Sequence, residues 1–64
     1  MVNNLREIRR AHGMTQEELS AFSGVNRVSI AKYETGKSDP SLETAKRLAD
    51  ALGVTVDELI RKAG

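Results

Sequence analysis

In the stretch NRVSIAKYE, residues 26–34, an amide, a guanidinium, a hydroxyl and an ammonium group fall within seven positions, at Asn26, Arg27, Ser29 and Lys32. Placed at 100° per residue around a helix, Ile30, Tyr33 and Glu34 lie on one side. Val28, Lys32 and Thr35 lie on the other, so an apolar residue has landed on the polar face. Such groups make hydrogen bonds and charge contacts; they do not make or break covalent bonds. Catalysis is poorly provided for elsewhere as well. The single histidine, His12, has no obvious partner set, and no nucleophile motif, Gly-rich phosphate loop or pair of metal ligands is present. The sequence therefore points away from an enzyme, and no metal, cofactor or small-molecule ligand is expected.

Sixty-four residues give room for one modest core, since a chain this short buries only about 60% of its unfolded surface. We expect a single domain over residues 1–64. The absence of cysteine rules out disulfides and thiolate zinc sites and fits a reducing compartment. No apolar run approaches the roughly 20 residues of a membrane span, and VNNLREIRR after Met1 does not read as a signal peptide. A cytoplasmic protein is expected. The net charge is only +1, short of the strongly basic balance that by itself suggests nucleic acid. Residues 1–37 carry six Lys/Arg against four Asp/Glu, and residues 38–64 four against five, so the N-terminal half is slightly the more basic.

These side chains need rigid elements to position them. Apolar residues repeat at three and four between the glycines at 13, 24, 36 and 53, which predicts an all-α chain of five short helices. The first runs from about Asn3 or Asn4 to His12, with Leu5, Ile8, Arg9 and His12 on one face and Gly13 closing it. TQEE forms a capping box of Thr15 and Glu18 that opens a second helix over about 15–22, burying Leu19 and Phe22. SGVN breaks it, and Asn26 caps a third helix over about 26–35. In GKSDP, Asp39 is the expected cap and Pro40 the first residue of a fourth helix, with Leu42, Ala45, Leu48, Ala49 and Leu52 as its apolar stripe. TVDE repeats the capping box with Thr55 and Glu58, opening a fifth helix with Val56, Leu59, Ile60 and Ala63 on one face. Two short helices joined through a glycine-containing turn cross steeply and leave the second projecting. That geometry can place a helix in a DNA major groove, about 12 Å wide.

MTQEELSAFSGVNRVSIAKYETGKSDPSLETAKRLADALGVTVDEL resembles the phage-repressor-like, Xre-type helix-turn-helix family. The match extends from Leu5 to Ile60. It rests on the combination of TQEELS, SGV at the turn, Ile30 and Glu34, GK after the third helix, PSLETAKRLADALGV and DEL. The resemblance implies a compact five-helix bundle of the lambda-repressor-like type that binds duplex DNA, commonly as a dimer on a two-fold symmetric operator, with the third helix reading bases.

Carried over position by position, the resemblance assigns base contacts to Asn26, Arg27, Val28 and Lys32. A guanidinium at Arg27 can donate two bonds to guanine O6 and N7, and Val28 can lie against a thymine methyl unless it is an ordinary exposed valine. Gln16 matches a position that holds a phosphate and braces the reading helix, at a helix N-terminus suited to anions. Ser29, Lys37, Ser38 and Ser41 are candidate phosphate clamps, which position without carrying sequence information. Arg9 and Glu34 lie on the inward sides of their helices, where unpaired charge is costly, so they are expected to pair and fix the third helix against the first. Val54, Val56, Ile60 and Ala63 are candidates for a homodimer interface; the other reading is that they close the core over the fourth helix.

The chain also departs from the family. Ser20 replaces the usual alanine at the tight crossing and needs a hydroxyl partner, Ala31 and Thr35 replace polar or basic residues, and Tyr33 stands where an aliphatic residue is common. His12 is expected to pack at a helix end. The function expected is a sequence-specific regulator, a repressor acting as a dimer on DNA. The competing expectation is an antitoxin-like or adaptor module that binds a protein, which the near-neutral charge and the replacements at Ala31 and Thr35 favour, and the retained Gln16, Arg27, Lys32 and Lys37 oppose.

Overall fold

The computed structural model describes residues 4–60. Among these the chain forms five helices and no strand: α1 (Leu5–Ala11), α2 (Gln16–Ser23), α3 (Arg27–Glu34), α4 (Leu42–Leu52) and α5 (Val56–Ile60). Helix α2 packs on both α3 and α4, α4 on α5, and α1 on α3 and α5. The start of α1 is tied to the end of the fold by the Asn4 N–H, which donates to the Leu59 carbonyl at 2.9 Å, and by Asn4 Nδ2, which donates to the Glu58 carbonyl at 3.2 Å.

Local chemistry sets the boundaries. Thr15 Oγ1 accepts from the Glu18 N–H at 3.0 Å while Glu18 Oε1 accepts from the Thr15 N–H at 2.9 Å, completing the capping box that starts α2. Asn26 Oδ1 accepts from the Val28 N–H at 2.8 Å and starts α3. Between them Gly24 takes φ 73°, a left-handed conformation that costs L side chains about 1–2 kcal/mol, and its N–H returns to the Ser20 carbonyl. The Ser20 hydroxyl donates to the Val25 carbonyl at 2.6 Å, so the polar group at the tight crossing has its partner and pins the turn.

The core consists of Leu5, Leu19, Val25, Ile30, Ala45, Leu48, Ala49, Leu52 and Leu59. Ile8, Met14, Tyr33, Ala51, Val54 and Val56 pack against its margin. Four expectations from the sequence are corrected. Phe22 is 69% exposed, because the core at the end of α2 is filled by Val25 arriving from beyond the turn. Leu42 is 65% exposed: it opens α4 one turn before Ala45, where the buried stripe begins. The cap of α4 is Ser41, not Asp39, since the Ser41 hydroxyl is the group that accepts from the Thr44 N–H, at 3.2 Å, and α4 opens at Leu42 and not at Pro40. His12 is exposed, standing past the last turn of α1 with Nδ1 2.9 Å from the Ile8 carbonyl. Ala63 lies outside the described residues.

Leu19 and Phe22 share α2 but differ in burial, and their truncations should differ accordingly. Leu19→Ala is expected to cost about 2–5 kcal/mol, and Phe22→Ala to stay within about 0.5 kcal/mol of the parent. Urea unfolding of the two variants checks this, and comparable losses would show that Phe22 belongs to the core.

Candidate nucleic-acid interface

Helix α3 is held from its inner side by two kinds of contact. Ile30 is fully buried. One turn later Glu34 meets Arg9 of α1 in a bidentate pair: Arg9 Nε donates to Glu34 Oε2 at 2.6 Å and Arg9 Nη2 to Glu34 Oε1 at 3.1 Å. Arg9 Nη1 donates to the Met14 carbonyl at 2.8 Å, and Gln16 Nε2 of α2 donates to Glu34 Oε1 at 3.0 Å. The Glu34 side chain is 3% exposed and that of Arg9 11%, so this is a desolvated cluster in which one carboxylate takes donors from two helices.

The opposite side of α3 is open. Val28 and Lys32 on it are exposed, as are Arg27 in the first turn of the helix and Asn26 at the cap. The capping bond occupies Asn26 Oδ1 and leaves its Nδ2 for an outside acceptor. Ser29 is half-buried on the flank. The end of α3 is fixed by Gly36 at φ 77°, with the Lys37 N–H donating to the Lys32 carbonyl at 2.9 Å and the Gly36 N–H to the Tyr33 carbonyl at 3.3 Å. This turn sets exposed Lys37 beside the outer face, where Val28, Ala31, Lys32, Thr35 and Lys37 line an open concavity. Ser38 is exposed in the loop that follows. The Ser41 hydroxyl, a candidate phosphate clamp, is exposed and donates to Thr44 Oγ1 at 3.0 Å as it caps α4. Val54 and Val56 are half-buried against the core, and Ile60 is half-buried at the end of α5.

Sequence reasoning missed two features here. The Met14 carbonyl as a third acceptor for Arg9 left no side-chain signal. The bracing of α3 by Gln16 was expected from the resemblance, but its partner, Glu34, was not. The concavity was legible only as the spacing of Val28, Ala31 and Thr35 on one helix face.

Two short helices joined at a left-handed glycine, the second pinned on its inner side and open on its outer side, define the helix-turn-helix class. Residues 5–59 match the helix-turn-helix family. The chain belongs to that family, in its phage-repressor-like, Xre-type form, which is a class of transcriptional regulators and not of enzymes. It is 41% identical over 59 residues to an uncharacterized HTH-type transcriptional regulator of Methanocaldococcus jannaschii, covering 92% of this chain and 89% of that protein. It is 37% identical over 51 residues to the transcriptional repressor RstR of a cryptic phage of Vibrio cholerae, covering 80% of this chain and 46% of the repressor. It likewise spans 53% of a prophage-derived HTH-type regulator of Bacillus subtilis, so the chain covers about half the length of some of its relatives. The crystal structure of the restriction-modification controller protein C.AhdI from Aeromonas hydrophila superposes with a TM-score of 0.83 at 38% identity, over 86% of this chain and 83% of that one.

The Arg9–Glu34 pair predicts a strong asymmetry between single and double replacement. Arg9→Met alone should destabilise by about 3–5 kcal/mol by stranding a buried carboxylate, whereas Arg9→Met with Glu34→Leu should recover much of the loss. Thermal melts of the three proteins decide it, and a near-parental melt of Arg9→Met would show that the pair does not hold α3.

Proposed function

We propose that this chain is a sequence-specific double-stranded DNA-binding regulator, a cytoplasmic repressor that acts as a homodimer on a two-fold symmetric operator. The observation that carries this reading is the two-sided character of α3, pinned through Ile30 and Glu34 and open at Arg27, Val28 and Lys32. In the major groove Arg27 supplies bidentate donors for guanine, Val28 an apolar surface for a thymine methyl, and Asn26 Nδ2 and Lys32 further donors. Lys37, Ser29 and Ser38 flank the helix as phosphate contacts that set its register. Gln16 Nε2 spends one N–H on Glu34, and its second N–H is the proposed phosphate donor.

Dimerisation follows from size, because two copies reading half-sites about 34–36 Å apart gain affinity and specificity together. Val54, Val56, Ile60 and Ala63 remain the proposed interface, although the packing of Val54 and Val56 on the core gives them a structural role as well. The competing reading, a protein-binding module, draws on the exposed Phe22 and Leu42.

Selection from random duplex DNA at physiological salt tests both readings. An enriched two-fold symmetric motif is expected, and recovery of no motif would favour the protein-binding module. On the selected site Arg27→Ala should cost about 1–3 kcal/mol and relax one base position, whereas Lys37→Ala should weaken all duplexes alike and lower the salt slope by about one. Equal losses from both variants on every duplex would refute this division of labour.

A further inference from the structure

The concavity on the outer face of α3 is built of methyl groups. Val28, Ala31 and Thr35 lie at spacings of three and four on the side of α3 turned away from Ile30, and with Lys32 and Lys37 they line one open depression. Thr35 is polar by type but not in what it presents. Its hydroxyl donates to the Ala31 carbonyl at 3.0 Å and lies 3.3 Å from the Lys32 carbonyl, so it is turned back along the helix and the γ-methyl is left to line the depression. Lys32 and Lys37 complete the lining, and a lysine lays its aliphatic stem along apolar surface while its ammonium group stays in water. An apolar hollow of this size edged by cations fits a small apolar group carried on a polyanion.

In the DNA major groove one base-pair feature has that character, the C5-methyl group of thymine. Resting on the DNA-binding reading above, we infer that Ala31 and Thr35, together with Val28, form a receptor for pyrimidine C5-methyl groups. Ala31 and Thr35 are then determinants of sequence specificity and not positions where contact has been lost. The apolar part of the hollow, Val28, Ala31 and Thr35, offers the base no hydrogen bond, so it distinguishes pyrimidines by the methyl group. The same group on 5-methylcytosine occupies the same place in the groove, so binding responds to cytosine methylation at that position.

Replacing single thymines by deoxyuridine in the duplex recovered by selection removes the methyl group and leaves the hydrogen-bonding edges intact. At the one or two positions facing the hollow, affinity should fall about fourfold, the factor expected for one buried methyl group, with little change elsewhere. Placing cytosine and then 5-methylcytosine at those positions should give the same ratio. Thr35→Ser, which keeps the hydroxyl and removes the methyl, should shrink the thymine-to-deoxyuridine ratio, and Thr35→Val, which keeps the methyl, should preserve it. A duplex bound specifically but with no deoxyuridine effect at any position would overturn the receptor while leaving the DNA-binding reading intact. A ratio unchanged in Thr35→Ser would remove Thr35 from it, and recovery of no specific duplex would overturn both.

Discussion

The orientation of α3 depends on one carboxylate. Glu34 receives Arg9 through two bonds and Gln16 through a third, and so joins α1, α2 and α3 at one point. A buried residue such as Ile30 decides which side of the helix faces the core, but apolar attraction is not directional and sets the rotation only coarsely. A bidentate guanidinium–carboxylate pair sets it more finely: both oxygens must face the fork. Since Glu34 sits four residues after Ile30, the two contacts fix the same side of α3, and the side carrying Val28, Lys32 and Thr35 is left outward as a geometric consequence. Burying a charge pair is a poor way to gain stability compared with apolar residues of similar volume. Its use here is to specify angle, which matters for a helix whose function lies in what its far side presents.

Around that point the rest of the domain acts as a frame with few spare parts. Most helix ends are closed by local chemistry: Thr15, Asn26 and Ser41 accept at the starts of α2, α3 and α4, and left-handed glycines follow α1 to α4. With helices of five to eleven residues, isolated helical stability would be marginal, so caps and tertiary packing together must supply what length does not. The αL turn at Gly24 and the Ser20 hydroxyl on the Val25 carbonyl fix the angle between α2 and α3 in the same manner as Glu34 fixes rotation.

Much of this arrangement was legible in the sequence. The five helices, the capping box at Thr15, the Asn26 cap and the αL glycines all rest on interactions between residues a few positions apart, which spacing exposes directly. The faces of the short helices were less legible. An apolar pattern gives an angle, and over eight residues a 60° offset such as that between Leu19 and Phe22 does not say which of the two meets a neighbour. Val25, beyond the turn, took the core position expected of Phe22. The start of α4 was ambiguous for a related reason: Asp39 and Ser41 are both good caps, and the geometry that selects the Ser41 hydroxyl is set by the chain arriving from α3. At the candidate site, the charged residues and Val28 could be placed by wheel and resemblance. The hollow could not, because Thr35 counts as polar until its hydroxyl is seen to be turned onto the backbone.

The low net charge bears on how such a surface would discriminate. Non-specific attraction to DNA scales with the number of phosphates neutralised, each adding about 0.9 to the salt slope. A chain with ten basic and nine acidic residues holds few cations in excess, and those near α3 are Arg27, Lys32 and Lys37. On the proposed reading, binding to arbitrary sequence is therefore weak. Apolar readout adds affinity where a methyl group is present and adds no charge anywhere else. On the proposed reading, the ratio of specific to non-specific binding, which decides occupancy against a genome of competing sites, is raised by the replacements at Ala31 and Thr35 that remove polar and basic side chains from the helix.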